Sequence, residues 1–231
     1  EETAGFLKML VVAGYNIFIS GGTGSGKTTL LNALSQFIPS EERVITIEDN
    51  AELQIQGVPN LVRMEAKNPN MEGAGEITIR QLIRTALRMR PDRIIVGEVR
   101  GAETIDMIQA MSTGHKGSLS TGHSDSPRDM LRRLETMVLM GMDIPLAAIQ
   151  RQIASAIDII IHVGRLRDKS RKVLEIVEVL DYEDGEIQTG CLYEFQETKC
   201  RRTDGVIEGR WQKVRPLLHT EKLLSAGYQT P

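Results

Sequence analysis

The spacing of apolar residues along the chain alternates between two periods, and this alternation predicts strands separated by helices. Short stretches that are mostly apolar and end near glycines or acidic residues are typical of buried strands; they lie at 16–20, 43–48, 93–97, 117–121 and 158–163. Helical spacing follows at 27–37, 78–90, 103–112, from 126 and from 145. Because strands that alternate with helices build parallel sheets covered on both faces, this order predicts an α/β fold with a mostly parallel sheet.

Local signals indicate where two of these helices begin and where one ends. Thr78 and Gln81 have the spacing of a capping box, in which each side chain bonds the other residue's backbone. Ser126 followed by Pro127 combines a good N-cap with a first-turn proline. Pro91 ends the helix that Thr78 begins, because a residue before proline avoids the helical region.

The pattern changes after Val163 and predicts antiparallel hairpins followed by a short terminal helix. The strand-like stretches are separated by the turn pairs Asp184-Gly185 and Asp204-Gly205. They lie at 173–180, 192–195 and 205–214, and the helix is expected within 216–227. We therefore expect four parts: a lead-in helix at 1–15, an α/β core at 16–163, an antiparallel β extension at 164–215 and a tail at 216–231.

Composition narrows the possible functions. The chain has 231 residues, with 31 acidic and 28 basic side chains and a net charge of −3, which argues against a generally basic nucleic-acid binder. Two cysteines, Cys191 and Cys200, are too few for a disulfide framework or a four-thiolate zinc site, and they indicate a reducing cytosol. No apolar run approaches the ~20 residues of a membrane span, so no transmembrane segment is expected.

A complete phosphate-binding motif, G-x-x-x-x-G-K-[ST], covers Gly21 to Thr28 between a predicted strand and a predicted helix. Its glycines let backbone N–H groups face a phosphate chain at the positive end of the helix. Lys27 would neutralise the β- and γ-phosphates, and the Thr28 hydroxyl would bind Mg²⁺. The alternative is a glycine-rich turn that binds nothing. The expected nucleotide-binding residues are Gly22, Thr23, Gly24, Ser25, Gly26, Lys27, Thr28 and Thr29.

Acidic residues follow two of the predicted strands. Glu98 stands at the carboxyl end of the 93–97 strand, the edge where open α/β sheets bind ligands. Such an acid can hold the metal's water shell or orient the attacking water. Glu52 closes the run Glu48-Asp49-Asn50-Ala51-Glu52 after the 43–48 strand, where a catalytic role and a role in a turn both remain open.

Two of the four histidines flank the predicted strand at 117–121. His115 precedes it and His123 follows it, on the same edge as Glu98. No further Cys or His lies nearby to complete a zinc shell. A lone histidine is more often structural, but this pair favours a phosphate sensor or a water contact.

Four motifs in order resemble the type II/type IV secretion ATPase superfamily. They are SGGTGSGKTT at 20–29, TIEDNAEL at 46–53, IIVGEVRG at 94–101 and TGHKGSLSTGHS at 113–124. The strands beyond 163, including Tyr193-Glu-Phe195 and the Trp211 segment, are similar to the tight-adherence pilus branch, the CpaF-type ATPases. The CxxC pairs of many type II secretion ATPases are absent from the sequence, which disfavours that branch.

The resemblance implies a RecA-like P-loop core that binds ATP and Mg²⁺ and forms a hexameric ring. It implies a cytoplasmic location at the inner-membrane face, with a membrane platform protein as partner and pilus assembly or secretion as the task. In this family Glu98 would be the glutamate that orients water or the metal shell, with Thr28 also at the metal. Glu52 would be the acidic-box glutamate, and His123 would detect the γ-phosphate. The expected catalytic set therefore has four members: Glu98, Glu52, His123 and Lys27.

The resemblance also implies an N-terminal domain, of which this chain would keep only the lead-in helix. Arginines that complete a neighbour's site often come from that region, so this chain alone is expected to hydrolyse ATP slowly. The candidates for sensing or for contacts across subunits within the chain are His115, Arg84, Arg88, Arg90 and Arg100.

Two alternatives share the phosphate motif. One is a RecA-like nucleic-acid translocase, for which the basic cluster Arg165-x-Arg167-x-Lys169-x-Arg171-Lys172 is the only support in the sequence; solvated charge is the usual role of such a cluster, and no direct nucleic-acid partner is expected. The other is a nucleotide-gated structural subunit that binds ATP without hydrolysing it, which Glu98 argues against.

Overall fold

A nine-stranded sheet forms the centre of the protein in the computed structural model, which describes residues 2–198 and 206–229. The strands are β1 Ile17–Gly21, β2 Arg43–Glu48, β3 Asn60–Glu65, β4 Arg93–Val96, β5 Leu119–Gly122, β6 Ile159–Arg165, β7 Arg171–Glu183, β8 Glu186–Glu197 and β9 Gly209–Lys213. Their spatial order is β3-β2-β4-β5-β1-β6-β7-β8-β9.

Helices cover both faces of this sheet. They are α1 Glu2–Val12, α2 Lys27–Ser35, α3 Ile79–Ala86, α4 Thr104–Ser112, α5 Pro127–Gly141, α6 Leu146–Ala156 and α7 Glu221–Ser225. One apolar core packs α3 to α6 against one face, and a second core packs α1, α2 and α7 against the other. Among the described residues, no helix is both long and apolar enough to span a membrane.

The first six strands, β1 to β6, pair in parallel and form what we call the parallel half. β1 lies between β5 and β6, and β2 lies between β3 and β4. The residues of β1, β4 and β5 are all buried, as expected for strands covered on both faces. The mostly parallel sheet predicted from the sequence is therefore confirmed, and the carboxyl ends of its strands lie along one edge.

The last three strands, β7 to β9, pair antiparallel and continue the same sheet from β6; we call them the antiparallel half. Asp184 and Gly185 both have positive φ, 50° and 84°, which is the two-residue turn predicted there. β7 and β8 are longer than their predicted stretches, and β6 continues past Val163 to Arg165. The turn at Asp204-Gly205 and Cys200 lie outside the described residues. The division of the chain at 163/164 stays a prediction.

One strand of the parallel half was not predicted. β3 pairs in parallel with β2 at the edge of the sheet, and its residues are exposed or half-buried. An edge strand is covered on one side only, so the sequence from Asn60 to Glu65 mixes charged and apolar residues. This mixture hides the continuous apolar run that reveals the buried strands.

The starts of two helices follow the local signals, whereas α3 ends at Ala86, earlier than the end predicted at Pro91. Thr78 accepts a hydrogen bond from the backbone of Gln81, and the Gln81 side chain accepts one from the backbone of Thr78, which is the predicted capping box. The Ser126 side chain accepts from the backbone of Asp129, and Pro127 occupies the first helical turn. These caps place α3 and α5 as predicted.

Candidate functional site

The phosphate-binding loop, residues 21–28, joins β1 to α2 at the carboxyl edge of the sheet. Gly24 and Gly26 have φ of 70° and 98°, which is the left-handed region where a side chain would be strained. Gly26 is the N-cap of α2, so the positive end of that helix opens into the loop. A Cβ on Gly21 would collide with the carbonyl oxygen of Val163. The loop therefore needs its glycines for backbone conformation and for close packing.

Lys27 lies under this loop and is 7% exposed. Its Nζ donates to the carbonyl oxygens of Gly21 and Gly22, each at 3.0 Å, and lies 3.2 Å from Nδ1 of His123. Burial lowers the pKa of this amine, and the carboxylate of Glu98 acts in the opposite direction. The amine is thus held by weak acceptors that a phosphate oxygen can replace.

His123 lies between Lys27 and Glu98. Its Nε2 is 2.9 Å from Oε1 of Glu98. Because a protonated lysine can only donate, Nδ1 of His123 must accept, and the ring is neutral with its proton on Nε2. Burial is the main cause that lowers the pKa of His123 below its usual 6.5, which agrees with a neutral ring. Lys27, His123 and Glu98 thus form a continuous polar line beside the loop.

Glu98 follows β4 at the same edge and is 19% exposed. Its Oε2 accepts from the Arg100 guanidinium at 3.0 Å, and Arg100 also lies 3.7 Å from Asp49. Its Oε1 is buried and lies 2.9 Å from Nε2 of His123, but among residues 2–198 and 206–229 it receives no hydrogen bond of good geometry, so it keeps acceptor capacity. A buried acceptor without a donor is unusual in a folded protein and points to a ligand or water position.

The acidic run after β2 folds over Thr28. Glu48 is buried, and its Oε1 accepts from the backbone N–H groups of Glu52 and Leu53 at 3.0 and 2.9 Å. Burial raises the pKa of Glu48, while these two hydrogen bonds lower it. The resulting turn brings Oε2 of Glu52 to 3.5 Å from Oγ1 of Thr28. Sequence reasoning placed Glu48 in the run but missed this organising contact.

A cavity of about 70 Å³ lies between these elements. It is large enough for water molecules but not for a nucleotide, which would occupy the open side of the loop. The lining is mostly oxygen-bearing: Thr28, Glu48, Asp49, Asn50, Glu52, Gly97, Glu98 and Arg100.

The donors around this cavity fit a magnesium ion that arrives with a nucleotide. Hydroxyl and carboxylate oxygens are hard ligands, and Mg²⁺ usually keeps several waters and binds phosphates. In the part of the chain that the structure describes, no group of three or more His, Cys, Asp or Glu side chains could hold a metal by itself. A magnesium ion here would take phosphate oxygens and waters as ligands beside the Thr28 hydroxyl, with the carboxylates of the cavity around that shell.

The structure does not bring four of the predicted residues to this edge. His115 precedes β5 at the opposite edge, and its Nδ1 lies 3.3 Å from the carbonyl of Ala110. Arg84 pairs with Asp106 at 2.7 Å. Arg88 and Arg90 are exposed just after α3, again at the opposite edge. Of the predicted arginines, Arg100 is the one beside the phosphate-binding loop.

Arg171, at the start of β7, also reaches the loop, and sequence reasoning did not select it. Its Nε donates to the carbonyl oxygen of Gly24 at 2.9 Å. The only signal in the sequence was its membership of the basic cluster at 165–172, which carries no information on what each residue contacts.

Residues 1–226 match the family described as type II/IV secretion system protein. A Mycobacterium tuberculosis protein named for conjugal transfer is 44% identical over 179 residues, which are 78% of this chain and 50% of that protein. The type IV secretion system protein PtlH of Bordetella pertussis is 39% identical over 176 residues, covering 74% and 52%.

A solved structure is also similar to this chain in sequence and in fold. The VirB11 ATPase from the Brucella suis type IV secretion system, crystallised with sulphate, superposes with a TM-score of 0.69 at 36% identity. The match covers 76% of this chain and 51% of that one. The RecA-like P-loop core predicted from the sequence is therefore confirmed, and the chain spans about half the length of the relatives it matches.

Proposed function

Because the chain belongs to the type II/IV secretion system protein family, we propose that it is the ATP-hydrolysing motor of a type IV-like machine. Within that class we favour a tight-adherence pilus assembly or protein secretion system of the CpaF type. The observation that carries the proposal is the polar line from Lys27 through His123 to Glu98 beside a complete phosphate-binding loop. A loop that only bound phosphate would not need Oε1 of Glu98, a buried carboxylate oxygen that can still accept a hydrogen bond.

Binding of ATP begins with an exchange of partners at Lys27. Its amine leaves the carbonyl oxygens of Gly21 and Gly22 for the stronger, charged oxygens of the β- and γ-phosphates. The backbone N–H groups of residues 22–29 and the positive end of α2 hold the rest of the phosphate chain. Burial of the amine strengthens this interaction because little water screens it.

Magnesium supplies positive charge to the β- and γ-phosphates when it is bound. Thr28 would provide the hydroxyl ligand, and Glu98 would act through the metal's water shell. Glu52, held near Thr28 by the turn that Glu48 organises, would support the same shell.

Hydrolysis needs an acceptor that orients the attacking water. Oε1 of Glu98 is buried and lacks a donor among the described residues, so it can accept a hydrogen bond from that water. Arg100 fixes the other oxygen of Glu98 and thereby orients the carboxylate. His123 contacts both Lys27 and Glu98, so loss of the γ-phosphate changes the hydrogen bonds of His123. A shift of His123 can in turn move α5, which begins four residues later.

We extend the proposal to the assembly that the family resemblance implies. The motor is a hexameric ring at the cytoplasmic face of an inner membrane, and its partner is the platform protein of the machine. The exposure of Arg88 and Arg90, away from the site of their own chain, supports a role toward a neighbouring copy or partner.

The test compares phosphate release and ATP binding for the wild type and Glu98→Gln. We expect a fall in turnover of about 10²–10³-fold, because an amide cannot accept the proton of the water, with ATP affinity unchanged within about threefold. Glu186→Gln, an exposed carboxylate paired with Arg128, is the matched control and should retain full turnover.

Three outcomes would contradict this assignment. Full turnover in Glu98→Gln would remove Glu98 from the mechanism. A wild type that binds ATP without hydrolysing it, even at high protein concentration, would favour the gated structural subunit. Strong stimulation of turnover by single-stranded or duplex DNA at moderate salt would favour a nucleic-acid translocase.

A further inference from the structure

The hairpin between β6 and β7 lies against the phosphate-binding loop. Arg171 lies at the start of β7, and its Nε donates to the Gly24 carbonyl oxygen at 2.9 Å. Its Cδ lies 3.3 Å from the position that a Cβ on Gly26 would occupy. One side chain thus spans the two glycines that have left-handed backbone conformations.

The hairpin is held in place independently of this contact. Asp168 accepts hydrogen bonds within the turn from the backbone and hydroxyl of Ser170, at 2.9 and 2.6 Å. Its other oxygen accepts from the backbone N–H of Ile207 at 2.8 Å. Arg167 pairs with Glu197 of β8 at 2.8 Å. The Asp168 hydrogen bonds anchor the hairpin to the segment that precedes β9, whereas the pair made by Arg167, whose side chain is 72% exposed, adds little.

A glycine-rich loop has a large conformational freedom. A ligand that binds only one loop conformation must therefore offset the lost conformational entropy with part of its binding free energy. Phosphates are bound by the N–H groups that face the inside of such a loop. A hydrogen bond to a carbonyl oxygen of the loop leaves those N–H groups free, so it can fix the loop without using the groups that bind phosphate. Because this donor is a guanidinium, the bond is stronger than one between neutral groups.

We propose that Arg171 is a positioning residue that holds the phosphate-binding loop in its binding conformation from the antiparallel half of the sheet. The inference rests on the proposed function, since it assigns the contact to ATP binding. It also gives the basic cluster at 165–172 a local explanation: Arg171 binds the loop, Arg167 pairs with Glu197, and Lys172 lies 5.8 Å from the centre of the Phe195 ring.

The contact has a thermodynamic consequence. If the hairpin position affects ATP affinity, then ATP affects the hairpin by the same factor, because coupling between two sites is reciprocal. A partner that moves the hairpin would thereby change ATP affinity without touching the catalytic residues.

The test uses Arg171→Ala, Arg171→Lys and the matched control Arg167→Ala, which removes an arginine from the same hairpin without touching the loop. Hydrogen exchange of residues 22–28 is measured without nucleotide, and ATP affinity and turnover are measured with Mg²⁺. Arg171→Ala should exchange faster in the loop and bind ATP about tenfold more weakly, with turnover at saturation within about threefold of wild type. Arg171→Lys should recover part of the affinity, and Arg167→Ala should match the wild type in every measurement.

The outcomes separate the two proposals. If Arg171→Ala and Arg167→Ala behave alike in exchange and in affinity, the positioning role is overturned. A fall in turnover at saturation with unchanged affinity would also overturn it. If the wild type binds no ATP, the proposed function fails. In that case, faster hydrogen exchange of the loop in Arg171→Ala, but not in Arg167→Ala, would still support the positioning role of Arg171. Unchanged exchange in Arg171→Ala would overturn that role.

Discussion

Glu98 in the parallel half and Glu178 in the antiparallel half are both carboxylates of low exposure in one sheet, but their surroundings differ. Glu178 is 1% exposed, and both of its oxygens are satisfied: Arg215 donates at 2.5 Å, and the backbone N–H groups of Leu218 and His219 donate at 3.1 and 2.8 Å. Glu98 keeps one buried oxygen without a donor among the described residues.

The difference separates two uses of a buried acid. A carboxylate whose partners are all supplied by the chain stabilises the fold, because removing it would leave those partners unpaired. A carboxylate with an open acceptor at the carboxyl edge of a parallel sheet is prepared for something that the chain does not contain. Substitution of Glu98 should therefore change chemistry, and substitution of Glu178 should change stability.

The largest expected effect is that of Lys27→Ala. Loss of the Lys27 amine, which donates to the carbonyl oxygens of Gly21 and Gly22, should abolish measurable ATP hydrolysis, a fall of at least about 10²–10³-fold. Phosphate release at saturating ATP is the measurement. Lys116→Ala, an exposed lysine near the opposite edge, should retain activity. Unchanged turnover in Lys27→Ala would show that the loop is not a catalytic phosphate site.

The next effect concerns Glu178→Gln. Loss of one partner of a buried ion pair should reduce the free energy of unfolding by about 3 kcal/mol, while turnover per folded molecule stays within about twofold. Urea unfolding measures the first quantity. Glu183→Gln, an exposed carboxylate on the same strand, should change the free energy of unfolding by less than about 0.5 kcal/mol. A stable Glu178→Gln protein with impaired turnover would break the proposed division between the halves.

The smallest effect concerns His162, on β6 where the halves meet. Its Nδ1 lies 2.9 Å from Oγ of Ser20, just before the phosphate-binding loop. Burial lowers its pKa below 6.5, although Asp125 and Asp129 oppose this.

The direction of the change in stability with pH follows from proton binding. The unfolded state takes up a proton near pH 6.5 and the folded state only at lower pH, so this contribution to stability is present at neutral pH and is lost as the pH falls below about 6.5. Between pH 7.5 and pH 5.5, His162→Asn should lose less stability than the wild type, by up to about 1 kcal/mol. Urea unfolding at several pH values measures this. An identical pH dependence in both proteins would show that His162 is not buried as a neutral ring.

Much of the parallel half could be predicted because its signals are local. The phosphate motif, the capping box at Thr78 and the apolar strands each depend on residues close together in sequence. Glu98 could be selected because its position at the end of an apolar strand implies the ligand-binding edge. β3 could not be predicted, because it is an exposed edge strand and its sequence has no continuous apolar run.

The contacts that join distant segments were beyond sequence reasoning. Gly24 and Arg171 are 147 residues apart, and Glu178 and Leu218 are 40 apart. Nothing in the local pattern around Arg171 distinguishes it from Arg167, although the two side chains face different partners. Such pairings depend on the order of strands in the sheet, which places β7 beside β6 and β6 beside β1.

The continuity of that sheet has a geometric consequence. Ladders of backbone hydrogen bonds join β1 to β6 and β6 to β7, so the two halves form one connected sheet. The ladder between β6 and β7 changes register between His162 and Val163, next to the strand that enters the phosphate-binding loop. A bulge bends and twists a strand locally. The sheet is therefore bent beside the phosphate-binding loop, at the point where β6 pairs with the antiparallel half.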